Sequence, residues 1–189
     1  MSVSLSKGQK ISLSKEVAGL KKIVVGLGWD PVKQGFFGVK PQIDCDASSI
    51  YMKNGKYAGV VYYGDRSALS GAIYHHGDNL TGSGSGDDEQ ITVDLANIPA
   101  DVDKIVFFVN IYQAAQRKQD FGLISNAFIR VVNADNHTEI CKYNLSEKYD
   151  GKTAMIFGEV YKKNGEWKFN AIGTGTTDNS ISEVIGRYR

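Results

Sequence analysis

The chain has 189 residues, of which 42% are hydrophobic and 23% charged, and its formal net charge is +1. These values fit one globular domain, or at most two small ones, with a core large enough to need no staples. They exclude a global electrostatic case for nucleic acid or for an acid-seeking protein, and no apolar run approaches the roughly 18 residues of a membrane span.

In chain order, VSL (3–5) and ISL (11–13) flank a KGQK turn, and LKKIVVGLGW (20–29) ends on glycines. IDCDASSIYM (43–52) alternates, and YAGVVYY (57–63) follows an Asn-Gly turn. AIYHH (72–76), QITVDL (90–95), DKIVFFVNIY (103–112), AFIRVVN (127–133), EICKYNL (139–145), AMIFGEVYK (154–162) and EWKFNAIG (166–173) complete the series. Short strands at this spacing predict an all-β fold, a sandwich or a barrel. KNGK (53–56) and KNGE (163–166) predict tight hairpins. One or two short helices are expected, within 114–126 and 181–188. Residues 1–173 read as a single sandwich domain and 174–189 as a flexible tail with a short helix.

The opening MSVSLSKG has no apolar segment of a secretory signal. Cys45 and Cys141 are the only cysteines and share no CxxC spacing, so two free thiols in a reducing cytoplasm are expected. His75 and His76 fall on opposite faces of a strand, which argues against a zinc site. GKT (151–153) lacks the upstream glycine of a phosphate loop. No Ser/His/Asp set stands in a nucleophile context.

Charge is unevenly placed. Residues 1–22 carry Lys7, Lys10, Lys15, Lys21 and Lys22 against Glu16, whereas GDNLTGSGSGDDE (77–89) holds four acids and no Lys or Arg. On a strand through IDCDAS, Asp44 and Asp46 share one face while Ile43, Cys45 and Ala47 share the other. Two carboxylates so placed repel unless a positive charge joins them; alone, the pair also reads as a solvent-washed polar face. The 77–89 segment admits four readings, namely a flexible linker, a phosphate cradle, a solvated loop and a calcium loop. Its acids repel an anion, and it sits between two strands of one domain. Calcium takes six to eight oxygen ligands at about 2.3–2.6 Å, and glycines let a backbone turn its carbonyls inward. The segment is not an EF-hand, because Leu80, Gly82 and Ser83 occupy the third, fifth and sixth positions counted from Asp78. Asp30, Asp44, Asp46, Asp78, Asp87, Asp88 and Glu89 would together crowd seven carboxylates at one end of a sandwich, a charge that two divalent ions would largely neutralise.

LKKIVVGLGWD (20–30), DCDASS (44–49) and GDNLTGSGSGDDE (77–89), together with VDLANIPADVDKIVFFVNIY (93–112), FGLISNAFIRVVN (121–133) and TAMIFGEVYKKNGEWKFNAIG (153–173), resemble the TerD family of tellurium-resistance and bacterial stress proteins. The resemblance implies a cytoplasmic β-sandwich of two antiparallel sheets that binds Ca²⁺, with no established enzymatic reaction; the crowding of acids sets the expected number at two ions. Carried onto this chain, it implies ligands Asp44 and Asp46 from the first motif and Asp78, Asn79, Asp88 and Glu89 from the second. Asp30, Asp87 and the carbonyls of Gly82, Gly84 and Gly86 extend that set. Its partners would be other stress or resistance proteins, some membrane-associated, with no nucleic acid and no direct membrane span. The family pattern DFDLDAS reads QIDCDAS here, Ser83 and Ser85 replace acids, and IHDAEAR reads IYQAAQR at 111–117. The function expected is therefore a non-enzymatic calcium-binding stress module, a scaffold or sensor for partner proteins. Two alternatives are a metal-dependent enzyme or ligand-binding protein using the Asp44/Asp46 pair, and a calcium-dependent sugar-binding module.

Overall fold

Two hairpins are set by Asn-Gly pairs. A computed structural model of the chain describes residues 2–31, 43–77 and 86–189, and in it Asn54 and Gly55 have φ of 49° and 75°, Asn164 and Gly165 of 55° and 77°. Two consecutive positive values are what a type I′ turn needs, and its twist matches that of the flanking strands. The first turn joins β4 (Cys45–Lys53) to β5 (Lys56–Val61), and the second joins β12 (Ala154–Lys163) to β13 (Glu166–Thr176).

The other strands among the described residues are β1 (Val3–Leu5), β2 (Lys10–Ser12), β3 (Lys22–Pro31), β6 (Ser67–Ala68), β7 (Ile73–His75), β8 (Glu89–Asp94), β9 (Val102–Ile111), β10 (Ile124–Asn133) and β11 (Glu139–Asn144). Seven strands form a first sheet in the order β1-β11-β10-β3-β8-β7-β6, and six form a second, β2-β13-β12-β9-β4-β5. The expected all-β sandwich is therefore present, with two refinements. The edge strand β1 pairs with β11 in parallel, while the other pairings are antiparallel. There are three short α-helices among the described residues, not one or two: α1 (Leu13–Glu16), α2 (Ala114–Arg117) and α3 (Ile181–Gly186). The extra one, α1, begins at Leu13, which the ISL run had assigned to a strand and which is fully buried.

Strand alternation divides the apolar side chains into two layers. Val25, Leu27, Ile91 and Val93 from the first sheet meet Ala47, Phe107, Val109 and Phe157 from the second in the main core. Ile50, Met52, Val106, Phe108, Ala154 and Ile156 project from the other face of the second sheet, where Val184 and Ile185 of α3 cover them. Ser180 caps α3 by accepting the Glu183 N–H. Arg187 grips Asp178 through Nε and a terminal nitrogen, tying the end of the chain back to the sheet. Strand β13 runs through Thr176, so regular structure continues past the Gly173 boundary drawn from the sequence. Among the described residues no helix is long and apolar enough to cross a membrane.

Candidate metal centre

Three consecutive acids at the start of β8 turn in three directions. Asp87 packs over Gly26, where a Cβ would lie 2.2 Å from its carboxyl. Directly across the strand pair from Gly26, Arg130 of β10 reaches through that notch and holds Asp87 with two bonds, Nε to Oδ1 at 2.6 Å and Nη2 to Oδ2 at 3.0 Å. Gln90 donates a third at 2.9 Å. The Asp87 side chain is 1% exposed, so its charge is matched within the protein. The same hydrogen bonds, from Asp87 first, raise the Arg130 guanidinium above its ordinary value.

Asp88 is set differently. Its Oδ2 accepts the Trp29 N–H at 2.7 Å, and its own N–H donates to the Leu27 carbonyl. Burial pushes its carboxyl up, the Trp29 hydrogen bond opposes this, and the nearby charges of Asp30 and Asp87 push it further up. Asp30, at the end of β3, accepts from Asn126 Nδ2 at 3.0 Å.

Glu89 points inward with Ile91 and Val93. Its Oε2 accepts the Ala47 N–H at 2.7 Å and lies 3.3 Å from His75 Nε2, both side chains fully buried. His75 Nδ1 accepts from the Gly77 N–H, which puts the ring proton on Nε2, 3.0 Å from the Ala47 carbonyl. The reason lies in the second sheet. The pairing of β5 along β4 reaches only Ser49, so the peptide groups of Ala47, one pleat further on, are satisfied from the first sheet instead. Glu89 and His75 thus clasp the two sheets together.

Asp44 and Asp46 follow the predicted alternation, for Ile43, Cys45 and Ala47 are in the main core. Asp46 is 4% exposed on the opposite face and directly opposite Asn110 of β9. Asp44 Oδ2 is 3.7 Å from Arg117 of α2. Cys45 lies at the meeting point of the two groups of acids. Burial first, then the charges of Asp46, Glu89, Asp44 and Asp88, push its thiol well above the ordinary range. This makes Cys45 a poor nucleophile; Cys141 is likewise buried and pushed up to about 12. On the outer face, Asp46 and Asn110 line a cleft of about 420 Å³ with Tyr63, Tyr112, Gln113 and Asn179.

The structure thus brings Asp44, Asp46, Asp88 and Glu89 around one buried thiol, with Asp30 adjoining Asp88 and Asp87 turned into an ion pair. Gly86 has φ of 122°. Asp78, Asn79, Gly82 and Gly84 lie outside the described residues. Among the described residues no three His, Cys, Asp or Glu side chains are grouped closely enough to hold one metal ion. The sequence motifs missed Arg130, Arg117, His75, Asn110 and the Trp29 and Ala47 N–H groups. Carrying the alternation of QITVDL back by one residue would have turned Glu89 inward, and the same alternation turns His75 inward and His76 out.

The TerD domain family model matches residues 1–188. The chain is 52% identical to the stress response protein SCP2 of Bacillus subtilis (strain 168), over all of both chains. It is 47% identical to the tellurium resistance protein TerD of Serratia marcescens, covering all of this chain and 97% of that one. A crystal structure of a homologue of the telluride resistance protein TerD from Streptomyces coelicolor A3(2) shares the fold, with a TM-score of 0.69 at 22% identity over 87% of this chain and 95% of that one. The chain belongs to the TerD family of tellurium-resistance and stress-response proteins.

Proposed function

We propose that this protein is a non-enzymatic calcium-binding module of the stress response, whose acidic end is ordered by the ion and then recognised by partner proteins. The observation that carries this reading is the crowding of Asp44, Asp46, Asp88 and Glu89 around Cys45, with Asp88 pushed up by burial and by the charges of Asp30 and Asp87. Buried carboxylates are tolerated when a cation or a donor matches them. The donors are all hard oxygens, the type calcium takes in preference to soft metals.

Asp44 and Asp46 on one side of β4, and Asp30 and Asp88 on the other, would each contribute to one of two ions. Asp78, Asn79 and the carbonyls of Gly82, Gly84 and Gly86 would supply further oxygens. Asp87 stands outside this ligand set, because Arg130 and Gln90 already hold both of its oxygens. Bound calcium would neutralise the crowded charge and fix the loop ahead of β8; the chain's own part is to hold the carboxylates in place through the Trp29 and Ala47 N–H groups. A cytoplasmic setting, and partners among other stress or resistance proteins, belong to the same reading.

Calorimetric titration of the calcium-free protein tests it. Two ions should bind with a measurable heat, and Asp44→Asn/Asp46→Asn should lose one of the two binding events. A flat titration of the folded wild type would remove the reading.

A further inference from the structure

The cleft on the outer face of the second sheet holds an acceptor that the carboxylates do not explain. Asp46 and Asn110 are direct partners in the β4–β9 ladder, each 4% exposed, and both line the cleft. Asn110 Oδ1 is buried and receives no hydrogen bond. Leaving such an oxygen unsatisfied costs about 1–3 kcal/mol, so an acceptor kept beside a buried carboxylate calls for a donor or a cation. Among the described residues lining the cleft none is Lys or Arg; Tyr63, Tyr112, Gln113 and Gln116 form much of its wall. Arg117 lies next door, but it stacks over the Tyr112 ring and faces Asp44.

Two alternatives fail on chemistry. An anion would meet Asp46, and an apolar group would leave the Asn110 oxygen bare. A carboxylate oxygen beside an amide carbonyl oxygen is a pair that a hard cation uses. The amide's oxygen and nitrogen exchange by a half-turn of the side chain, so the oxygen has two orientations to offer an ion. We propose that Asn110 is a ligand of the ion held by Asp46, and that this ion position opens into the Tyr63–Tyr112 cleft. The inference rests on the calcium reading above and adds to it a ligand and an outlet.

Terbium titration, with emission excited through tyrosine, tests it alongside calcium calorimetry. Tyr63 and Tyr112 are 41% and 38% exposed and line the same cleft, so a lanthanide there is sensitised, and Tyr63→Phe/Tyr112→Phe should lose much of that emission without losing ions. Asn110→Ala should weaken one ion at least tenfold, about 1.4 kcal/mol, and leave the other unchanged. Asn110→Asp should keep that ion but make folding more dependent on it: two carboxylates facing each other across the ladder repel, so the calcium-free variant melts below wild type and calcium restores it. If both variants bind two ions as wild type does, and Asn110→Ala merely melts lower, Asn110 is structural and the inference is overturned while the calcium reading stands. If wild type itself binds no ion, both fall.

Discussion

Asp87 and Asp88 are neighbours in the chain with opposite electrostatic settings. Asp87 drops into the notch at Gly26, where Arg130 and Gln90 match it; Asp88 turns toward the end of β3, where burial and two other acids push its carboxyl up. The first arrangement is complete within the protein and stabilises it at any calcium concentration. The second holds charge together at a cost, and under the proposed calcium reading that cost is what an ion would relieve. A run of acids such as Asp-Asp-Glu is thus no measure of a metal site, because the residue across the ladder decides which member is matched by a cation of the protein.

The largest effect expected from breaking this contrast is on the matched side. Arg130→Ala leaves a nearly fully buried carboxylate without its cation and should destabilise by about 3 kcal/mol, a loss that calcium does not repair in thermal unfolding. Next comes calcium itself. At a hundredfold its Kd each ion should stabilise the wild type by about 2.7 kcal/mol, roughly 5–10 °C in melting temperature for a chain of this size, and Asp44→Asn/Asp46→Asn should lose the contribution of one ion. Glu89→Gln keeps the shape of the clasp but removes the charge from the Ala47 hydrogen bond and the His75 contact; a cost of about 1.5 kcal/mol is expected, measurable by denaturant unfolding with and without calcium.

The smallest effect is one of sign. In the native state Asp88 binds its proton more tightly than in the unfolded chain, so calcium-free stability falls as pH rises from the ordinary carboxylate range through its raised native value. Asp178 behaves oppositely. Burial alone would raise it, but hydrogen bonds from Arg187 and Thr176 outweigh burial and hold it below the usual range. Its contribution is present above the ordinary carboxylate value and is lost as pH falls through the lowered one. Asp88→Asn should therefore raise calcium-free stability at neutral pH and flatten its decline, while Asp178→Asn should flatten the acid limb. A calcium-free melting series across pH in the two variants separates the slopes.

The frame of the fold was legible because local rules carried it. Asn54-Gly55 and Asn164-Gly165 fixed two turns, and period-two alternation put Cys45 and Ala47 inside and Asp46 outside. The acids split less legibly. How Asp87, Asp88 and Glu89 divide their partners depends on Arg130, 43 residues from Asp87, and on an Ala47 peptide group that β5 is too short to satisfy. Such pairings follow from strand order and strand length, which no local pattern encodes. Asn110 was hidden for a related reason. Within DKIVFFVNIY it reads as one polar residue on a buried strand, and only the register opposite Asp46 gives it a role. The helix α3 was visible as ISEVIGRY, but its seat on the outer face became clear only with Ile50, Phe108 and Ile156 in place beneath it.

The most direct test is calcium calorimetry on three proteins side by side: wild type, Asp88→Asn and Asp87→Asn. If the crowded acid rather than the matched one serves the ion, wild type and Asp87→Asn bind calcium alike, although the latter is less stable, and Asp88→Asn loses an ion or binds it at least tenfold more weakly. Equal losses in both variants, or none in either, would contradict the division between matched and crowded carboxylates.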